Sequence, residues 1–325
     1  MPAPRYANTV AARRVATPPE TSAMELIWIP ISVLGAFLQA IRTAGQKALN
    51  AELSTLVTTY VRSFFGLPLL LVYLWLVKEW TGQPFPEFNV RFLAMALGAS
   101  ISQVAATVFL IQMFTLRNFA VGTTLTKTDV MMTAIIGTLF FSEVITGLGW
   151  VAVILTVTGV FMMTFARAGL RAFSVQGEGA DAWKPTIIGL TSALGFAFSY
   201  LFVREASLSL ESGDVTLRAA CSVVTVISIQ VVFFGAYLLW REPEGLKAMF
   251  PNWRLCTFIG VTSAVGSICW FTAFALQNAS YVRSVGQVEA IFTLLISHFY
   301  FKERFNAAEL FGIAVTVAGV LLFLL

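Results

Sequence analysis

The stretch Leu116–Val160 reads "LRNFAVGTTLTKTDVMMTAIIGTLFFSEVITGLGWVAVILTVTGV", and it aligns without a gap with Leu276–Val320, which reads "LQNASYVRSVGQVEAIFTLLISHFYFKERFNAAELFGIAVTVAGV". A constant offset of 160 residues separates the two stretches. Identical residues at this offset include Asn118 and Asn278, Thr133 and Thr293, Phe141 and Phe301, Glu143 and Glu303, Thr156 and Thr316, and Gly159 and Gly319. Similarity at one fixed spacing over such a length indicates an internal duplication.

The duplication extends beyond these two stretches. The sequence "SVLG" at Ser32–Gly35 matches "SALG" at Ser192–Gly195 with the same offset, whereas Arg62 pairs with Arg218 only after a four-residue gap. The two copies therefore cover nearly the whole chain beyond a polar N-terminal segment.

The composition is that of a membrane protein. Of the 325 residues, 58% are hydrophobic and only 12% are charged, a balance that soluble domains rarely show. The apolar residues form unbroken runs of about 20, the length that crosses a bilayer as a helix. We therefore predict an all-α integral membrane protein with ten transmembrane helices. The predicted spans are Leu26–Gln46, Leu53–Val77, Phe92–Phe114, Phe119–Phe141, Leu148–Phe165, Thr186–Val203, Leu217–Leu239, Leu255–Leu276, Ala279–Phe301 and Leu310–Leu325.

Five helices per copy determine the relation between the copies. Because five passes leave the chain on the opposite side of the membrane, the ten helices are expected to form two inverted five-helix repeats, with a substrate site near the midplane between them. The expected boundaries are a disordered tail at 1–23, a first repeat at 24–167, a linker at 168–184 and a second repeat at 185–325. The tail is either part of the protein or an extension before a start at Met24.

Several classes of function are disfavoured. The net charge is +4, but the basic residues lie mostly in short loops, so no nucleic-acid partner is expected. Three cysteines without CxxC spacing and a single histidine, His298, suggest no metal site, and no cofactor is expected. The sequence has no GxxxxGK[ST] motif, which disfavours direct use of ATP.

The strongest candidate site residues are charged groups in the middle of apolar spans. Lys127 and Asp129 lie in the fourth span, and the offset of 160 places Gln287 and Glu289 at the same depth in the ninth. Charged groups at such a depth cost about 2.5–3.5 kcal/mol each on insertion scales, and their usual role is functional. Either they line the solute cavity, or Lys127 and Glu289 form an ion pair that only fixes packing.

If they line the cavity, each has a candidate role. Lys127 binds a carboxylate or phosphate of the solute, or it neutralises Glu289. Either Asp129 or Glu289 carries a coupling proton.

Other residues extend this prediction. Arg62 lies inside the second span, and Gln103 in the third either binds solute or bonds to another helix. Trp270, with Phe271 and Phe274, forms either an aromatic wall or ordinary packing. One face of the first span lines the entrance or snorkels to the interface; it carries Gln39, Arg42, Thr43 and Gln46.

The remaining polar and small residues are assigned structural roles. Arg218 and Arg283, near helix starts, are expected to snorkel or to pack. Glu143 and Glu303 are expected to cap the helices that follow them. The glycine at Gly159 and its partner in the second copy predict close helix contact, within the monomer or between protomers.

The segments that end each copy resemble one known family. "LFFSEVITGLGWVAVILTVTGVFMM" and "FYFKERFNAAELFGIAVTVAGVLLF" each contain an apolar helix, a glutamate at a hairpin and a last helix with a late glycine. The chain thus resembles the drug/metabolite transporter superfamily, in its ten-helix branch with two EamA-type domains. Many members carry a proline midway along the fourth and ninth helices, where this chain has Val130 and Ala290.

The resemblance implies a secondary transporter that works by alternating access, often as an exporter, in the plasma (bacterial inner) membrane. It implies cytoplasmic termini, whereas the distribution of Lys and Arg among the loops favours the opposite orientation. The expected solute is a small polar metabolite such as an amino acid, moved by an exporter or exchanger with a proton as candidate coupling ion. The protein is expected to be a monomer or homodimer. The alternatives are a membrane enzyme that acts on lipid-linked substrates and a channel or scaffold.

Overall fold

The computed structural model of the chain describes residues 26–113, 115, 125–168, 184–301 and 306–324. The predicted tail at 1–23, most of the linker at 168–184 and Glu303 lie outside the described residues. Where the chain is described, all its regular structure is helical. The helices are α1 (Trp28–Leu49), α2 (Thr55–Phe64), α3 (Leu67–Thr81), α4 (Val90–Met113), α5 (Asp129–Phe140), α6 (Gly147–Ala168), α7 (Lys184–Ser209), α8 (Val215–Ile229), α9 (Gly235–Arg241), α10 (Pro243–Lys247), α11 (Trp253–Leu276), α12 (Ala279–Gly286), α13 (Glu289–Phe301) and α14 (Ala307–Leu321).

Many of these helices are long and apolar enough to cross a membrane. Among the described residues, seven segments of 18 or more residues meet this description: Thr55–Thr81, Val90–Met113, Gly147–Ala166, Lys184–Ser209, Val215–Arg241, Trp253–Leu276 and Ala307–Leu324. The shorter apolar helix α5 adds to them. Large hydrophobic side chains such as Phe140, Val232 and Leu239 point outward, as expected of a surface that faces lipid. The predicted first span is not among the seven, although α1 has 22 residues. This helix carries the polar residues Gln39, Arg42 and Gln46.

Three spans are interrupted, so the prediction that each is one continuous helix was wrong. The second span breaks between α2 and α3, the fourth at Lys127–Thr128, and the ninth at Gln287–Val288. The last two breaks are separated by the repeat offset of 160. At each, a backbone N–H donates to the carbonyl three residues earlier, from Thr128 to Leu125 and from Gln287 to Ser284, 3.1 Å in both cases. This is the tighter 3₁₀ pattern, which often marks a functional position inside a helix.

The helices pack in a pattern that is preserved when the two halves are exchanged. Helix α4 packs along α7, and α1 packs along α11; exchanging the halves converts one of these contacts into the other. Helix α6 packs along α14, and the exchange leaves this contact unchanged. A methyl group on Gly159 would approach Thr316 N to 2.6 Å, and one on Gly319 would approach Thr156 N to 2.8 Å. The two glycines thus allow close contact within one chain, which is one of the two predicted possibilities.

Helix starts are fixed by side chains that accept backbone N–H groups. Ser54 caps α2 through Val57 N, and Asp214 caps α8 through Leu217 N. At α14, Asn306 and Glu309 form a reciprocal capping box. A π-helical segment, Gln230–Phe234, connects α8 to α9.

Candidate functional site

Two ion pairs join the halves of the chain where the fourth and ninth spans meet. Lys127 Nζ lies 3.0 Å from Glu289 Oε2, and Arg283 NH2 lies 2.8 Å from Asp129 Oδ2. Each pair takes its cation from one half and its carboxylate from the other. The residues flank the two helix breaks, so the interruptions and the charges occupy the same place in the fold.

The two pairs differ in accessibility. The Lys127 and Glu289 side chains are 23% and 10% exposed, and we call them the accessible pair. The Asp129 and Arg283 side chains are each 3% exposed, and we call them the buried pair. Glu289 Oε2 also accepts a hydrogen bond from Gln39 Nε2 at 3.0 Å. Of the two pairs, only the accessible pair therefore has side chains that are more than marginally open to their surroundings.

The Arg283 guanidinium is held between two aromatic rings. Its central carbon lies 4.5 Å from the Tyr200 ring centroid and 4.9 Å from that of Trp270, both within the range of cation–π attraction. Snorkelling, one of the two roles predicted for Arg283, was wrong, because a buried carboxylate partner and two rings hold it inside. Trp270 was predicted either to form an aromatic wall or to pack, and its contacts are those of packing. The ring covers Arg283 and stacks on Phe274.

Two glycines allow the Trp270 ring to lie in this position. A methyl group on Gly286 would come within 2.6 Å of the ring, and one on Gly35 within 3.2 Å. The ring therefore lies between α1 and α12, tightly against Gly35 and so close to Gly286 that a side chain there would require a shift. Its indole nitrogen has no hydrogen-bond partner among the described residues.

A second polar layer links α2, α4 and the π-helical segment. Arg62 NH2 donates to Gln103 Oε1 at 2.7 Å, and Gln230 Nε2 donates to the same oxygen at 2.8 Å. Ser63 Oγ donates to Gln230 Oε1 at 2.7 Å. Gln103 thus makes the helix-to-helix bonds that were one of its two predicted roles. Gln230 was missed, and its only signal was a polar residue inside an apolar span.

The polar face of α1 points into the protein. Arg42 is 6% exposed and Gln46 is 1% exposed, so the snorkelling predicted as one role for this face was wrong. Arg42 Nε and Gln46 Nε2 have no hydrogen-bond partner in the described part of the chain. The same holds for both amide atoms of Gln287. Unpartnered buried polar atoms from α1 and the ninth span are typical of a surface that binds something polar.

Glu143 was predicted to cap the helix that follows it, and this prediction was wrong. Its carboxylate accepts from Ala279 N at 2.6 Å and from Ser280 Oγ at 3.0 Å, at the first turn of α12 in the other half. Arg204 Nε lies 3.4 Å from it, and Arg204 also donates to the carbonyls of Phe274 and Gln277, at the end of α11. The glutamate therefore caps a helix in the opposite copy, which the linear sequence does not indicate.

The chemistry of these groups is that of binding and charge compensation. They are guanidinium, ammonium, carboxylate and amide groups from several helices. Among the described residues, no three His, Cys, Asp or Glu side chains lie together in a way that would hold a metal ion.

Comparison with solved structures shows the fold. In all, 28 chains match. One of them, described as "Crystal structure of protein", aligns over 94% of this chain and 95% of its own with a TM-score of 0.66 and 11% sequence identity. At this identity the similarity concerns the fold alone. No curated protein matches the sequence.

Comparison with family profiles identifies the domain. The profile described as the EamA-like transporter family matches residues 26–165 and again residues 183–325. The two matches cover most of the chain and confirm the resemblance inferred from the hairpin segments. Together with the long apolar helices, they identify a multi-pass integral membrane protein. The chain belongs to the EamA-like transporter family.

Proposed function

We propose that this protein is a secondary transporter of a small polar metabolite, with ten spans in two inverted repeats around a central solute chamber. EamA is a transporter family, which favours transport over enzymatic activity. The exchange symmetry of the helix contacts and the matching breaks in the fourth and ninth spans support the inverted arrangement.

The observation that carries the proposal is the pair of crossed ion pairs between the halves. A transporter that alternates between two states needs contacts between its halves that can be exchanged. The accessible pair, Lys127 and Glu289, supplies such a contact, because a charged solute can replace either partner. The buried pair, Asp129 and Arg283, holds the two spans together beside it.

The proposed chamber is formed by the residues that the sequence placed between the copies. Its walls are Lys127, Asp129, Gln287, Glu289, Arg62, Gln103 and Trp270. Within this set, Lys127, Glu289 and Gln287 contact the solute directly, since their polar groups are accessible or unpartnered. Asp129, Gln103 and Trp270 hold the wall in place through the contacts described above, and Arg62 is the remaining charged group of the set, bonded to Gln103.

A proton is the proposed coupling ion, and Glu289 is its proposed carrier. Protonation of Glu289 would release Lys127 and Gln39, two side chains that bond to the same carboxylate oxygen. Asp129 is the weaker candidate because its carboxylate is buried against a guanidinium that two rings enclose. Export or exchange across the bacterial inner membrane is the proposed setting.

Purified protein in proteoliposomes tests the proposal. Vesicles that are loaded with unlabelled amino acids should take up labelled solute transiently against its gradient, and the initial rate should saturate. A channel would give neither saturation nor counterflow, and an enzyme would release a modified product without any gradient.

A matched pair of variants links the activity to the chamber. Lys127→Gln should lower counterflow strongly, whereas Lys247→Gln, which removes an exposed lysine paired with Glu244, should leave it unchanged. If both variants transport like the wild type, the chamber is not where the solute binds.

A further inference from the structure

Among the described residues, two buried cations lie outside the ion pairs of the candidate site. At the breaks in the fourth and ninth spans, Lys127 and Arg283 pair with Glu289 and Asp129, and Arg42 in α1 and Arg62 in α2 add two further guanidinium groups. The two ion pairs use one cation for each carboxylate. Two guanidinium groups, from α1 and α2, therefore have no carboxylate to themselves among the described residues.

Arg42 has the less complete set of partners. Its side chain is buried, and its Nε has no hydrogen-bond partner in the described chain. Gln39, one turn before Arg42 in α1, donates to Glu289 Oε2, and that oxygen already accepts a bond from Lys127 as well. A guanidinium keeps its proton in proteins, so the charge persists. A buried cation without a dedicated counterion is costly to maintain.

Arg62 adds a second charge nearby. The Arg62 guanidinium donates a hydrogen bond to the neutral amide of Gln103, which satisfies one of its donors but compensates no charge. Arg42 lies seven residues before the end of α1 and Arg62 lies seven residues after the start of α2, and the short connection 50–54 joins these two ends, so the two like charges lie at about the same depth. Repulsion between like charges is strong where the effective dielectric constant is low. An anion between them would remove the repulsion and accept hydrogen bonds from both.

The amides nearby are suited to the same ligand. Gln46 Nε2, one turn along α1 from Arg42, and Gln287 Nε2 are buried donors without partners in the described part of the molecule. Gln287 Oε1 is an unpartnered acceptor, which fits a hydroxyl or amino group on the remainder of the solute. Arginine binds carboxylate and phosphate in two-pronged geometry more effectively than lysine does.

We propose that the transported solute is an organic anion, and that its carboxylate or phosphate group binds between the guanidinium groups of Arg42 and Arg62. This inference rests on the proposed transport function and adds the charge of the solute to it. Carboxylate and phosphate share the chemistry that the two arginines recognise, and the experiment separates them.

Thermal stability of the full purified chain in detergent measures binding with two matched pairs of probes. One pair is succinate and its neutral diamide, and the other is glycerol 3-phosphate and glycerol. At about ten times its dissociation constant, an anion that binds should raise Tm by about 2–5 °C. Its neutral partner should not change Tm. A response to one anion alone assigns carboxylate or phosphate as the group that is bound.

Variants locate the site. Arg42→Gln and Arg62→Gln should each weaken the apparent affinity for the anion by about 30-fold or more, because each removes a buried charged donor. Arg42→Lys and Arg62→Lys keep the charge and should retain part of the binding, so folding can be judged separately. Arg91→Gln is the matched control, because Arg91 is an exposed arginine paired with Glu205. It should bind the anion like the wild type.

Three results would overturn the inference: equal Tm shifts for the neutral and anionic partners, no shift with either anion, or unaltered anion binding in both glutamine variants. Counterflow separates this inference from the proposed function. Saturable counterflow of a neutral or cationic solute alone would leave a transporter whose solute is not an anion. Absence of counterflow for amino acids and for all four probes would remove both.

Discussion

Lys127 and Glu289 belong to opposite halves of the chain, and 3.0 Å separates the ammonium nitrogen from the carboxylate oxygen. Each lies beside a helix break, and the two breaks are related by the repeat offset of 160 residues. The contact therefore joins the equivalent breaks of two copies of the same unit, although the two residues, 162 apart, are not themselves equivalent positions. With side chains that remain 23% and 10% exposed, this pair is the more accessible of the two that join the fourth and ninth spans.

Glu289→Gln should abolish the pH dependence of transport. The groups that face Glu289 are Lys127 and Gln39 in direct contact, with Arg42, Arg283 and Tyr200 nearby. As pH falls, a proton on Glu289 removes its charge, frees Lys127 and leaves a more positive site. Transport of an anion should therefore rise with falling pH in the wild type and stay level in Glu289→Gln. Initial counterflow rates, measured from neutral pH down to the lowest pH at which the protein stays folded, check this.

The control for this prediction is Glu244→Gln, which removes an exposed carboxylate paired with Lys247 and should keep the wild-type pH profile. A Glu289→Gln protein that still responds to pH like the wild type would exclude Glu289 as the group that takes up the proton.

Breaking the buried pair should destabilise the protein more than breaking the accessible pair. Asp129→Asn leaves Arg283 buried without a counterion, which costs about 3–5 kcal/mol. Lys127→Gln weakens a partly exposed pair and should cost about 1–2 kcal/mol. Thermal unfolding in detergent compares the two. The double variant Asp129→Asn with Arg283→Gln should recover part of the loss, because no unpaired charge remains; equal loss in all three variants would contradict this assignment.

The sequence was informative about the helices and the duplication because both depend on local or periodic patterns. Unbroken apolar runs predicted the spans, and matched residues at one offset predicted which helices correspond. The breaks at Lys127–Thr128 and Gln287–Val288 were not predicted. The chain has no proline at or beside either break, so the usual signal for a helix break was missing.

The site was predicted only in part because its partners are distant in sequence. The carboxylates were found from their depth in apolar spans, yet Arg283 was assigned to snorkelling or packing because it lies near a helix start. Its partner Asp129 is 154 residues away. Its spacing of four residues from Gln287 is the signal that was available, since residues four apart share a helix face. No comparable signal linked Glu143 to α12.

Gly286→Ala should disturb the aromatic enclosure of Arg283. A methyl group there would lie 2.6 Å from the Trp270 ring, so the ring or α12 must shift, at a cost of about 1–3 kcal/mol. Gly266→Ala is the matched control in α11, because its methyl group would meet only Leu38 at 3.5 Å. We expect lower Tm and lower transport for Gly286→Ala and no loss for Gly266→Ala. Similar Tm values for both variants would show that the ring is not held tightly.

Glu143→Gln should loosen the contact between the halves without changing solute affinity. The carboxylate accepts two backbone or hydroxyl donors from α12 and lies beside Arg204, so an amide both weakens the cap and leaves the Arg204 charge uncompensated. Asp129 begins α5 and Glu143 follows the other end of that helix, so this contact lies apart from the ion pairs at the breaks. We expect a Tm lower by several degrees, an altered maximal counterflow rate and an unchanged half-saturating concentration.

The control for loss of a hydrogen-bonded carboxylate is Glu242→Gln. Glu242 is a partly exposed glutamate that accepts a hydrogen bond from Ser54 at another helix start. A change in half-saturation for Glu143→Gln, with a maximal rate like that of the wild type, would place Glu143 in the solute site instead.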